Sequence, residues 1–227
     1  MALGKFAALL FLICFLSTSV KAMVLVSDED IDTKNDLIIL NEEIDQKLSD
    51  KIVLQIHELQ SVHKDKPIYM LLDSPGGEVI EGARIIDAMV ASKRPIYTVA
   101  VGEAASMAAI IHSYGAKKYI LPNAILMYHA ISSSYSGDIV RMNSRLKMAK
   151  MLQDRYIQHI AAHSNTTVAE LNTKMMEEWW VNAEEAVDRK LADDMIVSTA
   201  FVMTKPKDEK IEEKKEPWFP WFPFPKK

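Results

Sequence analysis

Ser106 and His129 are the side chains of this 227-residue chain whose types and settings suit catalysis, and a Gly76-Gly77 pair stands upstream of both. Ser106 lies in AVGEAASMAAI (Ala100 to Ile110), where a run from Pro95 to Val101 that suits a strand gives way to an apolar helical run. A serine hydroxyl is a weak nucleophile near neutral pH. A histidine near its own pKa can take the hydroxyl proton and return it to a leaving amine. His129 ends an apolar strand in LPNAILMYHA, a position from which a side chain can emerge into a cleft. In LLDSPGGEV, Gly76 and Gly77 close another strand, and without a Cβ their N–H groups can approach a ligand closely. A tetrahedral oxyanion needs such donors, and losing one costs about 3–4 kcal/mol of transition-state stabilisation. Each piece also has a plain structural reading: small residues at a strand–helix junction, a tight turn, a strand-end histidine. Their weight lies in their common place at the carboxyl ends of strands, where α/β sheets hold their sites.

The elements that must position these residues alternate along the chain. Leu37–Leu40, Ile68–Leu72, Ile96–Val101, Tyr119–Leu121 and Ile125–Tyr128 read as strands. Ile44 to Leu59, Ile80–Met89 and the run from Met107 onward have helical spacing. This alternation predicts an α/β domain with a largely parallel sheet. Residues 138–163 contain no proline or glycine, and Met142, Leu146, Ala149, Leu152, Tyr156 and Ile160 recur at helical spacing. A long two-faced helix buries its stripe within the domain or against another subunit. Thr167 with Glu170 forms a capping box that starts a helix over Val168–Met176, and Ala183–Leu191 comes next as a short helix.

Taken together, the segments resemble the proteolytic subunit of the Clp protease family. The resemblance is carried by Ser74-Pro75-Gly76-Gly77, by Gly102-Glu103-Ala104-Ala105-Ser106-Met107, by Met127-Tyr128-His129 and by Ala183-Glu184-Glu185-Ala186-Val187. It runs from about Leu37 to Met195. It implies a serine endopeptidase with the fold shared by crotonases, built of repeated strand-strand-helix units with a long protruding handle helix at 138–163. By resemblance Ser106 is the nucleophile and His129 the base. The Gly77 and Met107 amides form the oxyanion hole, Gly76 and Ile131 contact substrate, and no cofactor or metal is required. The family aspartate that orients the histidine corresponds here to Glu178, with Glu177 and Asp194 as alternative carboxylates. Where the family has Gln-Pro and a glycine-rich, peptide-clamping strand, this chain reads Ala130-Ile131-Ser132-Ser133-Ser134. The family implies peptide or unfolded-protein substrates and a homo-oligomeric double heptameric ring, fed in cytoplasmic members by an ATP-driven unfoldase.

Three alternatives stay open on sequence. A Ser-Lys peptidase of the signal-peptide-peptidase type would use Lys147 or Lys150 as base, kept neutral by desolvation. A non-catalytic ring or scaffold subunit would keep the fold without activity. A crotonase-type acyl-CoA enzyme would share the oxyanion architecture but leave Ser106 and His129 unexplained.

The ends of the chain differ from the middle. Lys5, the eleven apolar residues Phe6 to Leu16 and the small-residue exit STSVKA read as a signal peptide over residues 1–22, cut after Ala22. The peptidase domain is then 23–203 and the exported protein periplasmic or secreted. The alternatives are tethering by an uncleaved signal, or a cytoplasmic protein working with an unfoldase. Removing residues 1–22 takes two lysines and no acid, so the net charge goes from −4 to −6. The same cut removes Cys14, the only cysteine, and with it any disulfide, thiol nucleophile or cysteine zinc site. No basic patch calls for nucleic acid. Residues 204–227 read as a disordered tail: five lysines and five acids over Lys205 to Glu216, then PWFPWFPFPKK. Its proline-separated aromatics suit a membrane interface or a protein groove.

Overall fold

The computed structural model describes residues 24–25, 31–32, 34–63, 65–132, 134, 136–198 and 201. Residues 1–22, read above as a signal peptide, with Cys14, the charged and aromatic tail, and Ser133 lie outside the described residues.

The core is a parallel sheet in the order β1 (Val24–Leu25), β8 (Asp194–Val197), β5 (Lys117–Ile120), β4 (Ile96–Ala105), β3 (Ile68–Ser74), β2 (Leu37–Leu40). Its strands read as unbroken apolar runs because both faces are covered, which is the usual condition of a parallel sheet. Helices α1 (Gln46–Leu59), α2 (Val79–Ala91) and α3 (Met107–Ser113) each return the chain to the next strand. α1 starts on Asp45, whose carboxylate accepts the Leu48 N–H at 2.7 Å. One apolar cluster, from Ile38 through Ile85, Ile111 and Ile160 to Ala192, fills the space between sheet and helices. The alternating α/β architecture expected from the sequence is the one observed.

β4 is the strand on which the rest turns. Its first half pairs β5 through Tyr97–Lys117 to Ala100–Ile120, while its end pairs β6 (Ile125–Tyr128) through Glu103–Ile125 to Ala105–Met127. Between these stretches β4 bulges away from β3, where two steps from Leu72 to Ser74 match four from Ala100 to Ala104. The Asp73 carboxylate takes up the freed Glu103 N–H at 3.0 Å. Such a bulge bends a strand and re-aims the residues beyond it. β6 in turn pairs antiparallel with β7 (Trp179–Asn182).

The long helix α4 spans Ile139–Ala162, capped by the Asp138 carboxylate on the Arg141 N–H at 2.9 Å. Only its second half is anchored: Tyr156, Ile157 and Ile160 are buried, whereas Ile139, Val140 and Leu146 are exposed. α5 (Val168–Lys174) begins on Thr167, whose hydroxyl accepts the Glu170 N–H at 3.1 Å, and α6 (Ala183–Asp188) comes directly after β7. Strands β1, β7 and β8 were not expected from the sequence, and the helices expected to end at Met176 and Leu191 stop at Lys174 and Asp188.

Away from the strand ends, Arg94 ties the loops at the opposite end of β3 and β4. It is fully buried. Its guanidinium donates to the carbonyls of Lys66, Asn35, Leu59, Val62 and Pro67, and to the Asp36 carboxylate at 2.6 Å. Burial pushes the Asp36 carboxyl up, but bonds from Arg94 and His63 more than offset it and hold it below its ordinary 3.8. Arg94→Met takes the guanidinium from one carboxylate and five carbonyls, leaving Asp36 to His63 and the Asp32 N–H. The expected loss is about 3 kcal/mol or more of unfolding free energy, measured by denaturant titration near neutral pH. A depressed acid stabilises the fold above its unfolded-state pKa and ceases to as pH falls through the folded value. The gap between wild type and Arg94→Met should therefore narrow on acidification below about pH 4.

Candidate active site

The turn after β3 is the floor of the site. Ser74 Oγ donates to the Glu42 carbonyl at 2.6 Å and accepts the Gly76 N–H at 3.2 Å, so this serine builds the turn. Gly77 then forms a parallel bridge with Ile44: the Ile44 N–H bonds the Gly76 carbonyl and the Glu78 N–H bonds the Ile44 carbonyl, each at 2.7 Å. In such a bridge the central residue's own N–H points away from its partner, so the Gly77 amide is not spent on Ile44, and Gly77 borders the same cavity as Ser106. Neither glycine is replaceable. Gly76 has φ +96°, and a Cβ there would sit 2.7 Å from both the Ala105 carbonyl and Ser106 Cβ. At Gly77, φ is +145° and a Cβ would run into the backbone of Ile44.

Ser106 joins β4 to α3 with φ +54° and ψ −120°, a region an L-residue occupies at a cost of about 1–3 kcal/mol. Both its main-chain groups are committed: the N–H donates to the Met127 carbonyl at 2.8 Å, and the carbonyl accepts the Ile110 N–H at 3.2 Å. The small residues around it serve packing as well as access, for Ala104, Ala105, Ala108 and Ala109 are all buried. Met107 opens α3, so its N–H has no acceptor within the helix.

β6 delivers His129 to the same place. His129 Nε2 lies 2.8 Å from Ser106 Oγ, and Nδ1 lies 2.6 Å from the Ala130 carbonyl. A carbonyl only accepts, so Nδ1 carries the proton and Nε2 receives the Ser106 hydroxyl. The neighbouring cavity, about 70 Å³, is walled by Val79, Ile110, Ile131, Gln153, Tyr156 and Met175. It also borders Gly77, Ser106, Met107 and His129. Ile131 therefore lines the cavity, while Gly76 lies in the turn and does not border it. His112, on the same helix as Met107, takes no part. It is buried in the core with neither ring nitrogen bonded among the described residues, and burial, then Lys118, push its pKa down to about 3.

The expectation for Glu178 needs correction. Continuing the β6–β7 register past Tyr128–Trp179 would set Glu178 opposite His129, but the pairing stops there. The next amide, Ala130 N–H, turns instead to the Met175 carbonyl at 2.7 Å. The exposed Glu178 carboxylate accepts the Trp180 indole N–H at 3.1 Å and does not meet His129. Neither Glu177, which is exposed, nor Asp194, which sits in β8 beside Tyr119, borders the cavity. The carbonyl of Ala130 is the group on Nδ1, and nothing in its side chain advertises that. Gln153, whose Oε1 accepts the Ile131 N–H at 2.9 Å, was likewise not singled out from sequence. Lys147 and Lys150 are exposed on α4 and do not border the cavity.

Gly76→Ala should drive the Ser106 segment out of place, because its Cβ would fall 2.7 Å from both the Ala105 carbonyl oxygen and Ser106 Cβ and 2.8 Å from the Met107 nitrogen. A crystal structure of this variant is expected to show Ser106 Oγ beyond hydrogen-bond reach of His129. One that retained the 2.8 Å contact would contradict the packing argument.

The family model described as Clp protease matches residues 29–199, a span that takes in every element from β2 to β8. With four motifs in order and this span matched, the chain belongs to the Clp protease family.

Proposed function

We propose that the chain is a serine endopeptidase that hydrolyses peptides or unfolded segments through an acyl-enzyme on Ser106. The 2.8 Å bond between Ser106 Oγ and His129 Nε2, on a strained strand–helix turn, carries this reading. His129 takes the hydroxyl proton as Ser106 attacks the scissile carbonyl, and the Gly77 and Met107 amides receive the developing oxyanion. The proton then passes from Nε2 to the leaving amine, and a water activated by the same nitrogen releases the acyl group. The apolar walls of the neighbouring cavity suit an uncharged side chain next to the scissile bond.

The exposed apolar face of α4 supports ring assembly. Ile139 and Val140 are 76% and 74% exposed and Met151 is 64%, on a helix whose other half is packed. Two copies can cover such faces with each other. The leader-like first 22 residues support a site of action outside the cytosol, where substrate would be unfolded on arrival rather than by ATP. The serine–lysine alternative gains no support from the exposed Lys147 and Lys150.

The test is labelling of the purified protein with a fluorophosphonate, alongside turnover of an uncharged peptide. Ser106→Ala and His129→Ala are expected to abolish both. Lys147→Ala and Glu178→Ala should stay within about threefold of wild type, the range of surface substitutions. Loss in Lys147→Ala would move the protein to the serine–lysine class. A folded oligomer that neither labels nor cleaves would instead be a scaffold subunit.

A further inference from the structure

We propose that Gln153 is a positioning residue for His129, acting through the Ala130–Ile131 peptide bond that stands where a carboxylate was expected. The inference rests on Ser106 and His129 being the reacting pair. That single peptide unit is held at both its polar ends. Its carbonyl, from Ala130, accepts His129 Nδ1–H at 2.6 Å, and its N–H, from Ile131, donates to Gln153 Oε1 at 2.9 Å. The preceding amide, Ala130 N–H, is fixed on the Met175 carbonyl at 2.7 Å. The result is one continuous chain of hydrogen bonds: Ser106 hydroxyl, imidazole, peptide, glutamine. An amide whose N–H is engaged becomes a stronger acceptor at its carbonyl, so hydrogen bonds in series reinforce one another. Gln153 thus does two things at once. It fixes the direction of the carbonyl that selects the Nδ1-protonated tautomer, and it raises that carbonyl's power to stabilise the imidazolium formed when Ser106 gives up its proton.

The anchor is rigid. Gln153 projects from the packed half of α4, one turn before the buried Tyr156 and Ile157. Among the described residues, Tyr156 is the only other titratable side chain bordering this cavity, and burial pushes its phenol up, so it stays neutral; Glu43 and Glu78 line the adjoining groove. Glu178, the nearest acid in register, is turned to Trp180.

The experiment measures the rate of fluorophosphonate labelling from pH 5 to 9, with kcat and KM for a peptide, on the full chain. Wild type is compared with Gln153→Leu, which keeps bulk and loses the acceptor, Gln153→Glu, which keeps the acceptor and adds charge, and Glu178→Gln. Gln153→Leu should label about tenfold more slowly and lose kcat by a similar factor with KM little changed, the effect of one missing hydrogen bond. The pH at half-maximal rate should fall in Gln153→Leu. It should rise in Gln153→Glu, whose rate returns to near wild type. Glu178→Gln should match wild type. The proposal is overturned if Gln153→Leu follows the wild-type profile, if its defect lies in KM alone, or if Gln153→Glu is as slow as Gln153→Leu. It also falls if Glu178→Gln alone loses activity. Should Gln153→Leu not fold, the direction of the Gln153→Glu shift decides. Absence of labelling in wild type would sink the Ser106–His129 pairing itself, a result distinct from all of these.

Discussion

Everything at the candidate site depends on the backbone of residues 74–78 fitting into a slot one atom too narrow for a Cβ. On one side lies the Ile44 main chain and on the other the Ala105–Met107 turn, so Gly76 and Gly77 are clamped between two backbones. Close packing of this kind tolerates no small error, since interiors are as dense as organic crystals. The same clamp that packs against Ser106, held at φ +54°, leaves the Gly77 N–H turned away from Ile44, and both residues border one cavity.

The fork in β4 explains why the histidine arrives at this spot. A strand that stayed paired with β5 along its whole length would leave no room for β6, and His129 would lie elsewhere. The bulge opposite Asp73 lets the last residues of β4 leave β5 and take β6 instead, and the Ser106 N–H continues that pairing to Met127. Nucleophile and base therefore sit at the ends of two adjacent strands. The hydrogen-bond ladder sets their separation, rather than two independent loops. Ladder spacing is among the best-determined distances in a protein, which suits a 2.8 Å contact.

What the sequence disclosed and what it hid divide along a physical line. Ser106, His129 and the Gly-Gly turn were legible because their chemistry is local: turn glycines, a serine at a strand–helix junction, a histidine closing an apolar run. The bounds of α4 were legible because Asp138 caps it and no proline or glycine interrupts it. Strands β7 and β8 escaped because WWVN and DMIV each carry a polar residue at one end, unlike the equally short but wholly apolar or aromatic runs of β2 and β6, and Trp179–Asn182 is held by its antiparallel partner. Glu178 was misjudged for a related reason. The family resemblance gave its position but not the residue at which the β6–β7 pairing ends, and that one residue decides where its carboxylate turns. Gln153 could not be seen at all, since its partner is a main-chain amide in a different segment and any polar residue on a helix resembles a solvated one.

The two halves of α4 live in different worlds, one embedded in the domain and one standing clear of it, yet they are a single stiff rod of 24 residues. Gln153 and Tyr156, on the embedded half, border the cavity beside Ser106. With no proline or glycine to kink it, α4 holds its free arm near Ile139 in a fixed geometry to the Gln153–Tyr156 wall: one splint, with the site at one end.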